Sequence, residues 1–301
     1  MRSLLVAVGP RKLVFGVIVY VVTCYVAYNA YVSRTGLRPR LASLLDSLFV
    51  APAHATKTTI AIGCAITSKR LRAVNESNIA EKFTFLSSLL PSFCRTASPQ
   101  FSYAFYLAYD YTDRVFSSDQ LSTAFVASFR RQIGQLCPPG IAPTLRLVNC
   151  SYGPGSPAWA QNDAMMDAYL DDADYFYRIN DDTLMVTSDW AASFVAALER
   201  YDPPRVGVVG PDHVGGNRRI LAYDFVHRRH VDAFGFYYPR VFTDWFGDGW
   251  ITRVYGPDRC AKLHRVRVRH TLSLGRRYRV NHAARRLLKP TVQRDKLVLS
   301  R

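Results

Sequence analysis

The chain has 301 residues, of which 49% are hydrophobic and 21% are charged. This composition excludes a disordered chain, and the length leaves room for one large domain or two small ones. The net charge of +16 is uneven, because residues 253–301 carry 15 Lys and Arg against two Asp, a net of +13. That basic segment either binds an anionic group, such as an acidic glycan, a phospholipid or a diphosphate, or is a solvated surface without a specific partner.

The N-terminal region contains a stretch that is long enough to cross a membrane. Residues 13–28 include no charged residue, and the apolar stretch continues to residue 32 after a single Asn. About 20 residues span a bilayer as a helix, and no small-residue cleavage site follows as it would in a signal peptide. We therefore predict a short cytoplasmic tail over 1–12, a transmembrane signal anchor over 13–32 and a stem over 33–57.

Two kinds of residue after this span bear on its orientation. Asn75 and Asn149 each begin an Asn-x-Ser sequence, which is glycosylated only if that part of the chain faces the lumen. Basic residues lie on both sides of the span, so their distribution alone leaves the orientation open. Five cysteines follow the span, which allows at most two disulfides of unknown pairing, and none has the spacing of a zinc finger.

The rest of the chain alternates between predicted strands and helices. Apolar or alternating runs predict strands over 58–67, 101–109, 144–149, 174–183 and 205–210. Apolar residues at helical spacing predict helices over 78–93, 119–135 and 187–200, and one that begins at Ser156 and Pro157. The alternation favours an α/β domain over 58–284 with a largely parallel sheet flanked by helices, followed by a basic tail over 285–301. No GxGxxG or P-loop pattern is present.

Acidic residues follow two of the predicted strands. Asp181 and Asp182 end the aromatic strand 174–183, and Asp110 ends the strand 101–109 in the sequence YDYTD. Ligands of open α/β sheets bind where strands end at their carboxyl edge, and adjacent carboxylates with no lysine beside them favour a cation such as Mg²⁺ or Mn²⁺. The alternative is an Asx turn with two solvated acids.

A second acidic segment lies near the C-terminus. Asp244 and Asp248 stand among aromatic and glycine residues over 242–251, just before a predicted helix. Partial burial there would raise the pKa of a carboxyl group, as a general base requires, whereas the alternative role for Asp248 is a helix cap. His270 ends the alternating strand that follows, and is either a metal ligand or a hydrogen-bonded surface or core residue.

Taken together, these motifs resemble the GT-A glycosyltransferases, in particular family 2-like members. The resemblance covers about 58–279 and rests on the apolar first strand, the YDYTD strand end, the helix with Gln-Asn-Asp-Ala and the strand ending in Asn-Asp-Asp. It implies a Rossmann-like mixed sheet flanked by helices, with a nucleotide-sugar donor over the carboxyl ends of the strands and a divalent cation, Mn²⁺ or Mg²⁺, on its diphosphate. The triplet departs from the family's DxD motif because its first residue, Asn180, is uncharged.

The resemblance also implies roles for individual residues. It assigns the metal to Asp182 with His270 as a further ligand, and it assigns Asp248, with Asp244 beside it, to the catalytic base of an inverting reaction. The donor-binding residues that it implies are Asp110, Asn162, Asn180 and Asp181. The expected acceptor contacts are Trp190, Asn217 and Trp245, although core packing is the commoner use of Trp.

The sequence thus favours a single-pass type II membrane protein of the Golgi or ER, with a luminal domain that transfers sugar from a UDP- or GDP-sugar to a glycan or glycoprotein. The alternative is a catalytically inactive lectin-like or anionic-surface-binding module on the same fold. A metal-dependent phosphohydrolase fits less well, since no second cluster of His and Asp ligands is visible. A nucleic-acid partner is not expected, because it fits the basic segment but not the anchor and the glycosylation sequences.

Overall fold

The computed structural model describes residues 57–150, 155–215, 217, 219–271 and 278–300. The predicted cytoplasmic tail, signal anchor and most of the stem lie outside these residues. Within the described ranges, no helix is long and apolar enough to cross a membrane. Contacts group the described residues into one compact unit that begins at Lys57.

A single eight-stranded sheet forms the centre of the domain. Its strands are β1 (Thr59–Ile66), β2 (Ser102–Asp110), β3 (Thr144–Cys150), β4 (Tyr175–Arg178), β5 (Thr183–Met185), β6 (Val208–Val214), β7 (Asp224–His227) and β8 (Cys260–His270). Their order is β3-β2-β1-β4-β7-β6-β8-β5. The first four are parallel, whereas β7 is antiparallel to both neighbours and β5 is antiparallel to β8. The sheet is therefore mixed, as the resemblance implied, whereas the alternation of strands and helices alone favoured a largely parallel sheet.

Helices cover both faces of the sheet. They are α1 (Ile79–Lys82), α2 (Leu90–Thr96), α3 (Asp119–Leu136), α4 (Pro157–Leu170), α5 (Trp190–Leu198), α6 (Arg229–Phe234), α7 (Gly247–Val254) and α8 (Arg285–Lys296). One hydrophobic core includes side chains of α2, α3 and α5, and a second includes those of α4, α6 and α7. Helix α4 packs closely on β1, since a Cβ at Gly63 would lie 2.7 Å from the Met165 methyl carbon.

The predicted helix 78–93 is interrupted. The chain forms α1, then a π-helical turn over Phe85–Leu89, and then α2. Pro91 lies in the first turn of α2, a position that tolerates the missing N–H of proline. A disulfide joins Cys94 of α2 to Cys137, the residue that follows α3, so it ties together two helices on one face of the sheet.

The segment predicted as a basic tail contains a packed helix. Thr291, Val292 and Asp295 of α8 are buried, and the indole Nε1 of Trp250 on α7 donates a hydrogen bond of 2.9 Å to Asp295 Oδ2. The cationic side chains of α8 lie on its solvent side, with the exposed residues Arg285, Arg286, Lys289, Arg294 and Lys296. The high charge of residues 285–301 predicted a tail. The helix packs on the domain nevertheless, because a narrow stripe of buried side chains is enough to hold it there.

Candidate active site

A cavity of about 1050 Å³ lies at the carboxyl edge of β1, β2 and β4. The beginnings of α4 and α7 and the end of β8 form further parts of its wall. Eight of the predicted site residues line it, namely Asp110, Asn180, Asp181, Asp182, Asp244, Trp245, Asp248 and His270. Because these residues come from distant parts of the chain, the fold brings into one cavity what the sequence showed only as separate motifs.

The two acidic residues of the Asn-Asp-Asp triplet lie in a turn rather than in a strand. Strand β4 ends at Arg178, and the chain then turns, with Thr183 N donating to Asn180 O at 3.2 Å and Asn180 N donating to Thr183 Oγ1 at 3.2 Å. Asp181 and Asp182 are the central residues of this turn and are both buried. The predicted strand 174–183 is therefore split into β4 and β5, and the turn points the acids into the cavity wall.

Strand pairing brings His270 to Asp182. Thr183 of β5 pairs with His270 of β8, and the residue after β8, Thr271, donates from its N–H and its hydroxyl to Asp182 O at 2.9 Å and 2.7 Å. As a result, His270 Nε2 lies 2.7 Å from Asp182 Oδ1. The sequence placed these residues 88 positions apart, and only the register of β5 against β8 explains their contact.

These two side chains fit one side of a divalent cation site. Apart from its contact with His270, the buried Asp182 Oδ1 takes part in no hydrogen bond with the described residues. A carboxylate oxygen and an imidazole nitrogen are suitable ligands for Mn²⁺, whereas Mg²⁺ prefers oxygen and keeps several waters. Among the described residues no group of three or more His, Cys, Asp and Glu could hold a metal.

Asp110 and its neighbour Asp113 have different surroundings. Asp110 lines the cavity and accepts one hydrogen bond, from Gly155 N at 3.2 Å, and burial raises the pKa of its carboxyl group. Asp113 accepts hydrogen bonds from Ser68 N at 2.6 Å and Val115 N at 3.0 Å, so it fixes the loops after β1 and β2. Of the two acids, Asp110 is the one with acceptor capacity left for a ligand.

The cavity also contains basic residues that the sequence analysis did not select. Four of them follow β1 and β2, namely Lys69, Arg70, Arg72 and Arg114. A fifth, Arg178, ends β4 two residues before the acidic triplet. The sequence indicated these residues only by their position after predicted strands, because residues that follow parallel strands meet at one edge of the sheet. The cavity therefore presents cations as well as carboxylates, as a diphosphate with a bound metal ion requires.

Arg178 belongs to a buried charged network. Its Nη2 lies 3.2 Å from Asp224 Oδ2, and its Nε donates to Tyr238 OH at 2.7 Å. The hydroxyl groups of Tyr237 and Tyr238 both donate to the Asp224 carboxylate. Burial raises the pKa of Asp224, while the Arg178 charge and the two tyrosine hydroxyls oppose this shift. A buried ion pair costs desolvation free energy, and here four groups satisfy one another.

This network supports the beginning of α7. A Cβ at Gly247 would lie 3.0 Å from the Tyr238 ring, so the helix begins in direct contact with that ring. Asp248, the next residue, lines the cavity, and its negative charge acts on Arg178. Asp248 is not the N-cap of α7, which is Phe246; Asp248 Oδ1 instead accepts a hydrogen bond of 2.7 Å from Gly249 N.

Asp244 is more firmly held than Asp248. Its Oδ2 accepts a hydrogen bond of 2.8 Å from Asn281 N, and its Oδ1 accepts one from Trp245 N. These bonds join the loop before α7 to the segment before α8. Asp244 therefore lines the cavity but also connects two loops, whereas the Asp248 carboxylate accepts its hydrogen bond from its own helix.

Asn162, a predicted donor-binding residue, is buried and lies outside the residues that line the cavity. Its Nδ2 donates to Tyr238 O at 2.7 Å, and its Oδ1 accepts from Tyr237 N at 2.8 Å and from Tyr238 N at 3.0 Å. Asn162 thus fixes the backbone that carries the two tyrosines of the network. Of these two tyrosines, Tyr238 lines the cavity, so Asn162 supports the cavity wall.

We predict that Asn162→Ala lowers the free energy of unfolding by about 2–4 kcal/mol, because it leaves two buried N–H groups and a carbonyl without their partner. Urea unfolding followed by circular dichroism measures the change. Gln161→Ala on the same helix is the matched control and should change stability by less than about 1 kcal/mol. Equal stability of the Asn162 variant and the wild type would contradict this structural role.

The three predicted acceptor residues lie in different places. Trp190 is 2% exposed and packs on Tyr103 and Tyr177 in the core, so its ring is not available to a sugar. Asn217 lies outside the cavity, where it accepts a hydrogen bond from Arg219 N. Trp245 lines the cavity with 38% of its surface exposed, and its indole Nε1 donates to Tyr278 OH.

Comparison with known proteins gives distant structural matches. No protein-family model and no curated protein matches the chain. Similar crystal structures include Staphylococcus aureus TarS, with 13% identity and a TM-score of 0.44 over 72% of this chain and 37% of TarS. Glucosyl-3-phosphoglycerate synthase from Mycobacterium tuberculosis, in complex with Mg²⁺ and uridine diphosphate, matches with 11% identity and a TM-score of 0.45 over 71% of this chain and 72% of its own.

The glycosyltransferase GlyE of Streptococcus pneumoniae also matches, with 11% identity and a TM-score of 0.38 over 69% of this chain and 45% of its own. The chain therefore spans less than half the length of TarS and of GlyE. Similarity at this level carries no argument about activity. The function has to be inferred from the cavity itself.

Proposed function

We propose that the protein is a metal-assisted glycosyltransferase of the GT-A type that transfers sugar from a UDP- or GDP-sugar to a glycan or glycoprotein. The observation that carries the proposal is the joint presence, in one cavity, of the Asp182–His270 pair, Asp110 and the basic residues after β1 and β2. A nucleoside diphosphate carries negative phosphate oxygens at one end and a polar base at the other. The basic residues of this cavity can bind the phosphate oxygens, and Asp110 can accept hydrogen bonds from the other end. Its volume of about 1050 Å³ suits a nucleotide sugar, at the upper end of the usual range for ligand sites.

Each group of residues in the first cavity has a separate proposed role. Asp182 and His270 would hold the cation, which would supply positive charge to the leaving diphosphate. Lys69, Arg70 and other basic residues of the cavity bind the phosphate oxygens. Asp110 accepts hydrogen bonds from the ribose or the base. Asp248 removes the proton of the acceptor hydroxyl, and the buried network beneath α7 holds it in position.

The decisive experiment incubates the purified domain with a panel of UDP- and GDP-sugars, with Mn²⁺ or with a chelator, and measures release of the nucleoside diphosphate. We expect metal-dependent release from one donor of the panel. Binding of glycans without release from any donor would instead support the lectin-like module. Release that is equal with and without chelator would contradict the metal-assisted mechanism.

The proposed location is the Golgi or ER membrane, with the N-terminal anchor in the bilayer and the domain in the lumen. Both sequon asparagines, Asn75 and Asn149, are exposed on the domain. Expression in a eukaryotic secretory host should therefore give a chain whose gel mobility rises after endoglycosidase treatment, and Asn75→Gln with Asn149→Gln should remove the shift. Digestion of the domain by protease added to sealed microsomes would place it in the cytosol instead.

A further inference from the structure

A second cavity, of about 550 Å³, lies apart from the first and shares no lining residue with it. Its charged lining residues are all basic: Arg219 before β7, Arg253 of α7, Lys262 of β8 and Lys296 at the end of α8. Four cations from four separate segments border this cavity, three of them exposed, and no carboxylate is among the described residues that line it. Like charges that converge repel one another unless an anion joins them.

For three of these cations, contacts with the described residues do not neutralise the charge. Arg253 Nη1, for example, donates to Gly249 O at 3.1 Å, an uncharged carbonyl group. Arg219, Arg253 and Lys296 form no ion pair with a carboxylate in the described part of the chain. The nearest acid of α8, Asp295, is occupied by Trp250 Nε1 and by Arg294 Nε.

Apolar side chains form the floor between these cations. Leu221 and Val292 are buried and line the cavity together with Ile220 and Pro257. A volume of about 550 Å³ is well above that of an inorganic phosphate and within the usual range for small organic ligands. The chemistry that fits is an oxyanion attached to an apolar or weakly polar group, because arginine and lysine bind phosphate and the floor favours a carbon skeleton.

We propose that this second cavity is a binding site for a small organic phosphate. Of the two alternatives for the basic C-terminal segment, this proposal favours specific binding of an anionic group over a solvated surface without a partner. The site lies one helical turn from the first cavity, since Thr252 lines it while the Thr252 hydroxyl donates to Asp248 O at 2.7 Å. The proposal does not depend on the glycosyltransferase assignment.

Isothermal titration calorimetry of the full chain, metal-free and at low salt, tests the site with phenyl phosphate and inorganic phosphate as probes. We expect a saturable site that is retained in Lys69→Gln and that binds phenyl phosphate more tightly than inorganic phosphate, because only the former uses the apolar floor. Arg253→Gln and Lys296→Gln should each raise the dissociation constant of phenyl phosphate about tenfold, the scale of one charge-assisted hydrogen bond. Binding should also weaken with added salt.

Two control variants make the test specific. Lys289→Gln removes the same charge from an exposed position of α8 outside the cavity, and Lys69→Gln removes one from the first cavity; both should leave the dissociation constant within about twofold. Circular dichroism confirms that each variant is folded. Equal weakening by Lys289→Gln, stronger weakening by Lys69→Gln, or no saturable binding would overturn the proposal. So would binding to phosphatidylglycerol vesicles with no binding of phenyl phosphate, which would indicate a membrane surface.

Discussion

Asp182→Asn is expected to abolish metal-dependent binding of the nucleoside diphosphate and to reduce turnover of the donor at least about 100-fold. Changing a group that only supports a metal ligand already costs 10- to 100-fold in metal affinity, and Asp182 is proposed as the ligand itself. The replacement keeps the side-chain shape. It also keeps the hydrogen bonds of Thr271 to Asp182 O, which involve only the backbone oxygen. The fold should therefore be retained.

Calorimetric titration with the diphosphate, with Mn²⁺ and with chelator, measures the effect. Asp258→Asn is the matched control, because Asp258 is an exposed acid that lines neither cavity. It should bind and turn over like the wild type. Full metal-dependent binding by the Asp182 variant would contradict the assignment and would leave His270 without its proposed partner at the metal.

Asp248→Asn should keep donor binding and lower the rate of sugar transfer by about 10²-fold or more, the usual scale of the loss of a general base. An amide cannot accept the proton of the acceptor hydroxyl, but it can keep the hydrogen bond from Gly249 N. Rates under saturating donor and acceptor, together with the dissociation constant of the donor, separate catalysis from binding.

Asp244→Asn is the informative comparison for this variant. Asp244 joins two loops through Trp245 N and Asn281 N, so its replacement should lower thermal stability more than Asp248→Asn does and should lower the rate less. A wild-type rate in Asp248→Asn would exclude it as the base and would direct attention to Asp244. Loss of donor binding and of the fold in the same variant would indicate that Asp248 has only a structural role in α7.

The elements that follow from the sequence are those with long apolar patterns. The predicted strand 58–67 is β1 (Thr59–Ile66), and the predicted helix 119–135 is α3 (Asp119–Leu136). Strand β7 (Asp224–His227) was not predicted, because four residues that include a buried Asp and a buried His have no recognisable period. Strand β7 is buried by the Arg178 side chain and by its neighbouring strands. These partners are distant in the sequence, so the local pattern of apolar residues does not indicate them.

The sequence by itself determined the alternation of strands and helices and the positions of the acids that follow strands, because side-chain periodicity and strand ends are local properties. Only the tertiary structure decided which of these acids have free acceptor capacity. The register of β5 against β8 placed His270 on Asp182, loop hydrogen bonds occupied Asp113 and Asp244, and the core enclosed Trp190. The physical reason is that hydrogen-bond satisfaction and burial depend on partners that are distant in the chain.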